Sequence, residues 1–451
     1  MSIPDGSSAA TAATFHLFHE LAPPESLAEF DVGHSGIFSA WVVVWLMIFQ
    51  RLQGGASTSR AVAELKLGAI STMLPDCKRV RDGKISVATG GYCQARSALD
   101  PRAADSVADL IFASLTSSAE GDQAARRSFL LDGTTLSLEP HAELLAAFPP
   151  ASNQNGASRW PTLHMAVLHD LATGCAMRPE IGTMYGPRPD SEVELGKRLI
   201  ARLTRPSELI ADRNFGIFAM ALSATTLGHD VLFRLTEKRF GAMVRAARPR
   251  PGKPGEWDLD WVPSRSDRRS DPSLPEDAVV RGRLIEVVTE YEGETRTLWL
   301  FATNATSTPA EMAARYAQRW DVETDLKSLK STLKLDRPSG RGEDMIRKEI
   351  ALGSAAYNLV IQVRRLAAAR ASVEPRRLSF KRILDLTQAY CDGLNAATGL
   401  EAAASRFDRL LEAAATCLLP VRRRRRSYPR EVAQRRRSYP ARRSPPPVHK
   451  N

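Results

Sequence analysis

The spacing of hydrophobic residues over the first 115 positions favours helices. Apolar residues cover nearly every side of Phe38–Leu52, which predicts a helix buried in the core. The run Ser57–Ser59 offers capping residues for a second helix, Arg60–Leu67, and the block Gly91–Leu99 opens a third. This pattern predicts a helical N-terminal domain over residues 1–115.

Shorter apolar runs between positions 128 and 212 predict strands, and two of these runs end in an aspartate. In Ser128–Leu138 the apolar stretch ends at Asp132, and the following Gly133-Thr134 permits a turn or bulge. In Glu208–Asp212 a short buried strand ends at Asp212, and a helix follows. A predicted hairpin and an amphipathic helix lie between them: Thr162–Leu171 with Cys175–Ile181, and Ser191–Leu203.

The last third of the chain returns from strands to helices. Alternating Val, Ile and Leu predict strands in His229–Lys238 and Arg281–Thr303, on either side of the polar, proline-rich segment Arg245–Asp277. Trp299 lies in the second of these regions, and we expect it to pack between strands. Helical patterns follow at 314–330, Met345–Ala371 and Glu374–Tyr390.

The helix predicted at 314–330 carries four unlike polar groups on one side. At about 100° per residue, Tyr316, Arg319, Glu323 and Lys330 fall within an arc of about 60°. Thr308 and the residues after it form a capping signal for the start of this helix. A carboxylate among cations suits a metal ligand beside a nucleic-acid backbone, whereas the alternative is a surface helix laced with ion pairs.

These elements predict an α/β fold. The order strand, strand, strand, helix, strand, with acids on the first and fourth strands and a third acid on a late helix, is that of a ribonuclease-H-like catalytic domain. We place this domain at 116–420, with a β-rich insertion at about 230–303. Its acids would be Asp132, Asp212 and Glu323.

Composition and charge narrow the class of protein. The hydrophobic share of 43% and the charged share of 25% are ordinary for a globular protein, and the longest apolar run, Ala40–Phe49, is too short to span a bilayer. The five cysteines are scattered without a C-x-x-C pair, which argues against a disulfide framework or a zinc site. We therefore predict a cytoplasmic protein without membrane contact.

The excess of positive charge is confined to the C-terminus. Residues 422–451 hold eleven arginines and Lys450 against one acid, Glu431. Subtracting these 12 and 1 from the 62 basic and 51 acidic residues leaves 50 of each, so the rest of the chain is neutral. We predict a disordered basic tail at 421–451 that binds phosphates without sequence preference, with a solubilising terminus as the alternative.

The spacing Tyr-x2-Arg-x3-Glu-x6-Lys, with Trp320 directly after Arg319, resembles the signature of DDE transposases of bacterial insertion sequences, in the insertion-sequence-four family. The blocks Asp132-Gly-Thr and Ala211-Asp-Arg resemble that family's blocks around its first two catalytic acids. The resemblance implies cut-and-paste transposition by metal-dependent cleavage and strand transfer at terminal inverted repeats. The alternatives are a ribonuclease-H-like nuclease or resolvase without strand transfer, and an inactive DNA-binding transposon remnant.

The chemistry of phosphodiester cleavage explains the acids. Two Mg²⁺ (or Mn²⁺) ions activate the nucleophile and stabilise the leaving oxygen, and magnesium prefers carboxylates together with phosphate and water. Asp132, Asp212 and Glu323 would hold both ions, whereas Asp170 falls at a hairpin tip and is a weaker candidate. The phosphate-binding residues would be Tyr316, Arg319 and Lys330.

The resemblance also implies partners. We expect double-stranded DNA, both transposon ends and target, to bind a homodimer at synapsis, within the bacterial cytoplasm and in association with the nucleoid. The N-terminal helical domain would help to recognise the terminal repeats. Gln94 and Arg96 are candidate DNA contacts there, and a structural role for them is the alternative.

Overall fold

A nine-stranded mixed sheet and a large set of helices make up the described part of the computed structural model. The structure describes residues 14–31, 36–117, 126–154, 156–291, 294–304, 306–393 and 400–420. The predicted basic tail, 421–451, lies outside these residues. Among the helices within them, none combines the length and apolar character that a bilayer crossing requires.

Every regular element described before residue 118 is helical, as the apolar pattern predicts. These elements are α1 (Thr14–Leu21), α2 (Ala40–Leu52), α3 (Thr58–Leu67), α4 (Lys78–Arg81), α5 (Gly90–Ala98) and α6 (Pro101–Ser117), with 3₁₀ segments at Pro24–Asp31 and Ala69–Met73. All 13 residues of α2 are buried. Ser57 caps α3 because its hydroxyl accepts the Arg60 N–H at 3.2 Å.

The nine strands of the main sheet lie in the order β5-β4-β1-β6-β7-β11-β10-β9-β8. The strands are β1 (Arg127–Ser137), β2 (Ser152–Asn153), β3 (Gly156–Ala157), β4 (Thr162–Asp170), β5 (Glu180–Thr183), β6 (Ser207–Ala211), β7 (Asp230–Arg234), β8 (Arg248–Pro249), β9 (Glu256–Trp261), β10 (Val280–Tyr291) and β11 (Glu294–Ala302). β2 and β3 form a separate small hairpin. The β1–β6 and β6–β7 pairs are parallel, and the other pairs are antiparallel.

The predicted turn or bulge at Gly133-Thr134 is wrong. β1 pairs with β4 in unbroken register from Phe129 opposite Asp170 to Ser137 opposite Thr162. A bulge would place two residues of one strand opposite one residue of the other, and none occurs along this pair. The strand therefore continues past Asp132, and Gly133 is not needed for a turn.

The later helices cover both faces of the sheet. They are α7 (Ala142–Ala147), α8 (Glu192–Ile200), α9 (Phe218–Thr226), α10 (Glu237–Val244), α11 (Arg265–Ser270), α12 (Pro309–Ala317), α13 (Trp320–Lys327), α14 (Glu343–Ala371), α15 (Phe380–Gly393) and α16 (Leu400–Ala415). On one face, Leu130 and Ile210 pack with Tyr316 and Val322 of α12 and α13. On the other face, Leu131 belongs to the large core that includes α8.

The long helix α14 ties the N-terminal helices to the rest of the chain. It packs against α2 and α6, and against α15 and α16. Its Glu349 is buried and forms ion pairs with Arg51 of α2 and with Arg96 of α5, the latter at 3.0 Å. Arg96, a candidate DNA contact, is therefore a packing residue in this structure. Gln94 is exposed, and a DNA contact there remains a prediction.

The β-rich part between residues 230 and 303 extends the sheet by four strands beyond β7. β10 and β11 pair antiparallel, with Tyr291 opposite Glu294, and the polar segment 245–277 contains β8, β9 and α11. Trp299 donates its indole N–H to Glu286 at 3.0 Å, and its ring lies 6.4 Å from that of Phe240. It is packed against neighbouring elements, as predicted.

Candidate active site

Asp132 lies on β1, and Asp212 directly follows the parallel neighbouring strand β6. Leu131 of β1 is paired with Ala211 of β6, and each aspartate is the next residue along. Neighbouring strands lie about 5 Å apart, and alternate residues of a strand share a face. Both aspartates are therefore on the face of Leu130 and Ile210, which α12 and α13 cover.

Local hydrogen bonds hold both aspartates. Asp132 accepts the Gly133 N–H at 2.9 Å, and Asp212 accepts the Asn214 N–H at 2.8 Å in a turn that follows β6. Burial raises the pKa of Asp132 above its ordinary value, while the Gly133 N–H and Arg319 lower it and the charges of Asp212 and Glu323 raise it further. Asp132 therefore interacts electrostatically with both of the other predicted acids.

The predicted single helix over 314–330 is interrupted. Bonds of the 3₁₀ type, from Arg319 N–H to Tyr316 O at 2.9 Å and from Val322 N–H to Arg319 O at 3.1 Å, separate α12 from α13. A π-helical segment, Ser328–Thr332, follows α13. The arc of about 60° assumed uniform winding, so its angles do not apply to this structure.

The interrupted helix nevertheless brings Arg319 to two of the acids. Its guanidinium donates to Glu323 at 3.0 Å and also interacts with Asp132. Burial opposes its charge, but Tyr316, Glu323 and Asp132 together outweigh burial and raise the pKa of Arg319. The Arg319 side chain is 10% exposed and that of Glu323 is 45% exposed, so the ion pair forms where the buried floor of the site meets solvent.

Tyr316 forms part of that buried floor. It is 5% exposed and packs with Leu130 and Ile210 on the sheet. Burial raises the pKa of its phenol, and Asp212 contributes to the rise, which indicates that the hydroxyl lies near the second acid. Its neighbour Trp320 is 57% exposed, with the Arg319 guanidinium 5.1 Å from its ring centroid.

Lys330 reaches the same strand as Asp132. Its ammonium donates to the Thr134 hydroxyl at 2.9 Å and to the Thr135 carbonyl at 2.6 Å. The wide π-helical turn carries this lysine. Burial lowers the pKa of Lys330, and Asp336 opposes the change. The predicted cation is therefore bonded to the strand that carries Asp132, two and three residues beyond this acid.

The carboxylates fit a divalent metal in chemistry, since Mg²⁺ prefers oxygen ligands of this type. The mutual repulsion that acts on Asp132 is what a cation would relieve. Among the described residues, no three His, Cys, Asp or Glu side chains converge closely enough to hold an ion. Glu323 is paired with Arg319, and it would have to exchange this partner for a metal.

Asp170, the weaker candidate acid, has structural contacts instead. Its carboxylate is fully buried and accepts the N–H and hydroxyl of Thr173, at 2.8 and 2.5 Å. These bonds hold the turn after β4, in which Gly174 takes a positive φ of 76°.

One further acid lies at this place, Glu192, which the sequence analysis does not identify. It lies in the first turn of α8, and its side chain closely approaches Gly133. A Cβ atom added at Gly133 would lie 2.0 Å from the Glu192 carboxylate, which explains the glycine after Asp132 better than a bulge does. The signal that could have identified Glu192 is the amphipathic pattern of α8, if it had shown which side of this helix faces β1.

Comparisons with known proteins agree with this geometry. A family model described as the transposase DDE domain matches residues 123–359, more than half of the chain. The chain is also similar to the transposase InsG for insertion sequence element IS4 of Escherichia coli (strain K12), with 26% identity over 239 residues. The similar segment covers 52% of each chain, so this chain spans about half the length of the curated relative that it matches. Asp132, Asp212 and Glu323 all lie within the matched residues.

Proposed function

Because this chain belongs to the transposase DDE-domain family, we propose that it catalyses cut-and-paste DNA transposition. It cleaves phosphodiesters at the terminal inverted repeats of an insertion sequence and transfers the cut strands to a target. The observation that carries this proposal is the placement of Asp132 on β1 and of Asp212 at the end of the adjoining parallel strand β6, with Arg319 interacting with both Asp132 and Glu323.

The topology supports a ribonuclease-H-like catalytic core. The order β5-β4-β1-β6-β7, with β1, β6 and β7 parallel and the first three strands antiparallel, agrees with the predicted order of strands and acids. The strands β8–β11 then correspond to the β-rich insertion ahead of the helix that carries Glu323. The N-terminal helices would be the domain that recognises the terminal repeats.

The three acids have a common task in this proposal. Asp132, Asp212 and Glu323 would hold two Mg²⁺ or Mn²⁺ ions. When bound, such ions lower the pKa of the attacking water or hydroxyl and neutralise charge on the leaving oxygen. Asp132 is held by β1 and Asp212 by the turn that follows β6, whereas Glu323 must first leave Arg319.

The cations then have a task of their own. A DNA phosphate offers Arg319 a second anionic partner, and its planar fork suits two phosphate oxygens. Transfer of Arg319 from Glu323 to a phosphate would free the third acid at the moment the substrate arrives. Lys330, bound to β1, would contact a phosphate as a point charge, and Tyr316 would contribute its hydroxyl.

The full reaction also needs partners that the chain itself does not include. We propose that a homodimer binds two element ends and the target duplex in the bacterial cytoplasm, at the nucleoid. The direct test is to incubate the protein and Mg²⁺ with a supercoiled plasmid that carries the element ends. Joined products support transposition, nicked or linear products alone support the nuclease or resolvase alternative, and uncut DNA supports an inactive remnant.

Removal of residues 422–451 should weaken binding to random duplex DNA and flatten its dependence on salt. The deleted segment carries the whole net charge of +11, and each phosphate contact contributes about 0.9 to the slope of log K against log salt. The measurement is duplex affinity at several salt concentrations. A full-length chain with the eleven tail arginines replaced by serine is the control for length.

Cleavage of saturated ends should persist after this deletion, because none of the proposed metal ligands lies in the tail. An unchanged salt slope in the truncated chain would show that the tail is a passive, solubilising terminus.

A further inference from the structure

Glu192 lies close to both strand-borne acids, although it starts from the opposite face of the sheet. Gly133 alternates with Asp132 along β1, so its missing side chain would point away from the face of Asp132. The Glu192 carboxylate lies in this space, with its Oε1 2.0 Å from the place of a Cβ at Gly133. The helix α8 thus reaches β1 at the one position next to Asp132 where the strand has no side chain.

A second contact joins Glu192 to the other aspartate. The Asn214 side chain forms a hydrogen bond with the Glu192 carboxylate. The Asn214 backbone N–H is bonded to Asp212 at 2.8 Å. Glu192 is therefore connected to Asp212 through one residue and to Asp132 through the adjacent glycine, and it interacts electrostatically with both.

The fold directs Glu192 there through ordinary helix chemistry. Ser191 caps α8 by accepting the Glu194 N–H at 3.1 Å. Leu195 and Leu199, three and seven positions after Glu192, lie on the same side of the helix and bury that side in the core. An acid in the first turn of a helix is normally stabilised by the helix dipole. Burial, followed by the charges of Asp212 and Asp132, instead raises the pKa of Glu192 to about 7.

A structural explanation accounts for this arrangement poorly. A carboxylate that only capped the helix would gain nothing from approaching two other carboxylates, because like charges repel one another in a half-buried site. Glu194 meets the ordinary expectation for this helix end, since it is exposed and pairs with Lys197 at 2.9 Å. Of the two acids in the first turn of α8, Glu192 therefore lies near other carboxylates, whereas Glu194 pairs with a lysine.

We propose that Glu192 is a fourth carboxylate of the metal site and that it moves toward Asp132 and Asp212 to bind a divalent ion with them, since these side chains do not converge on one ion position in the described structure. This inference rests on the proposed metal-dependent function. A fourth acid would hold an ion at the two strands before Glu323 is released by Arg319. The chain would then bind one ion without DNA, and Glu323 would complete the site when the substrate displaces Arg319.

The test is a Mn²⁺ titration of the full chain without DNA, followed by calorimetry and by the electron paramagnetic resonance signal of free Mn²⁺. Glu192→Gln should lower the affinity for the ion by about ten- to a hundredfold. The matched control is Glu194→Gln, which removes an acid from the same turn of α8 and should bind Mn²⁺ as the unsubstituted chain does.

The aspartates separate this inference from the proposed function. Asp132→Asn and Asp212→Asn should also lose the ion. If they do so while Glu192→Gln binds Mn²⁺ normally, the fourth ligand is wrong and the metal site stands. If neither aspartate substitution changes Mn²⁺ binding, the proposed metal site itself is wrong.

Thermal unfolding provides a readout that reports directly on the fold. Without metal, Glu192→Gln should unfold at the same or a higher temperature, because the substitution removes repulsion among carboxylates. The rise in unfolding temperature caused by Mn²⁺ should become smaller, since a ligand stabilises the folded state in proportion to its affinity. A lower unfolding temperature without metal, together with a normal Mn²⁺-induced rise, would identify Glu192 as a structural residue.

Gly133→Ala gives an independent variant, because it displaces the Glu192 carboxylate and keeps its charge. It should lower Mn²⁺ affinity, and Gly133→Ala with Glu192→Gln should bind Mn²⁺ about as Glu192→Gln does alone. If the two substitutions instead lowered Mn²⁺ affinity by independent factors in the double variant, Gly133 would act independently of Glu192. That result would overturn the proposed contact.

Discussion

Replacement of Asp132, Asp212 or Glu323 by the corresponding amide should abolish DNA cleavage while binding to the element ends survives. Asparagine and glutamine keep the shape of the side chain but lose the negative charge that binds a divalent ion. Removal of any one carboxylate therefore leaves at least one proposed ion without a ligand. Cleavage of a labelled duplex carrying one element end measures the first effect, and a gel-shift titration of the same duplex measures the second.

The matched control for this series is Asp321→Asn. Asp321 lies on α13 two residues before Glu323, but its carboxylate faces Arg376, at 3.5 Å. Cleavage by this variant should stay near that of the unsubstituted chain. If Asp212→Asn cleaves at the unsubstituted rate, the assignment of the second acid is wrong, and Glu192 becomes the natural replacement.

The parts of the site that lie on regular elements could be predicted from sequence. Asp132 and Asp212 each follow an apolar run, and parallel pairing of two such runs brings their ends together without further information. The start of α12 could also be predicted from sequence, because Thr308 and Glu311 form the reciprocal capping pair that the residue types indicate.

The parts that depend on contacts between distant segments could not be predicted. Gly133 resembled a turn residue because glycine often is one, whereas its actual requirement is space for a side chain 59 positions later. Arg96 is a residue type that often contacts DNA, yet its side chain pairs with Glu349 on α14. Neither partner can be recognised from the local sequence, because both are set by how helices pack on the sheet.

The interrupted helix is a further case. No glycine or proline lies between Tyr316 and Lys330 to indicate a break. The 3₁₀-type bonds lie at Arg319, and the π-helical turn carries Lys330, whose ammonium is bonded to Thr134 of β1. Both irregular turns carry a residue of the proposed phosphate-binding set, and π-helical turns often occur at functional sites.

The double substitution Arg319→Ala and Lys330→Ala should reduce strand transfer more than it reduces the first nick. Neither side chain can bind Mg²⁺, and we propose that both bind phosphates of the cut ends, Arg319 through its fork and Lys330 as a point charge. A charged hydrogen bond of this kind contributes on the order of 1.5–3 kcal/mol, so each single substitution should weaken the complex with cleaved ends about ten- to a hundredfold.

The two single variants, Arg319→Ala and Lys330→Ala, should differ in their effect on metal affinity. Arg319→Ala removes the partner of Glu323, so the third acid is free before DNA binds, and metal affinity without DNA should rise while affinity for cleaved ends falls. Lys330→Ala removes the bonds to Thr134 and Thr135 and should lower affinity for cleaved ends without raising metal affinity. Lys327→Ala removes an exposed charge from the same helix and is the control.

The decisive measurement compares the variants on a pre-cut end, with Mn²⁺ affinity determined in parallel. Opposite changes in metal and DNA affinity for Arg319→Ala would establish that this arginine exchanges Glu323 for a phosphate when the substrate binds. Strand transfer at the unsubstituted rate by the double variant would reduce Arg319 and Glu323 to an ordinary ion pair on a helix surface. The proposed function would then not explain how Glu323 becomes available to bind a metal ion.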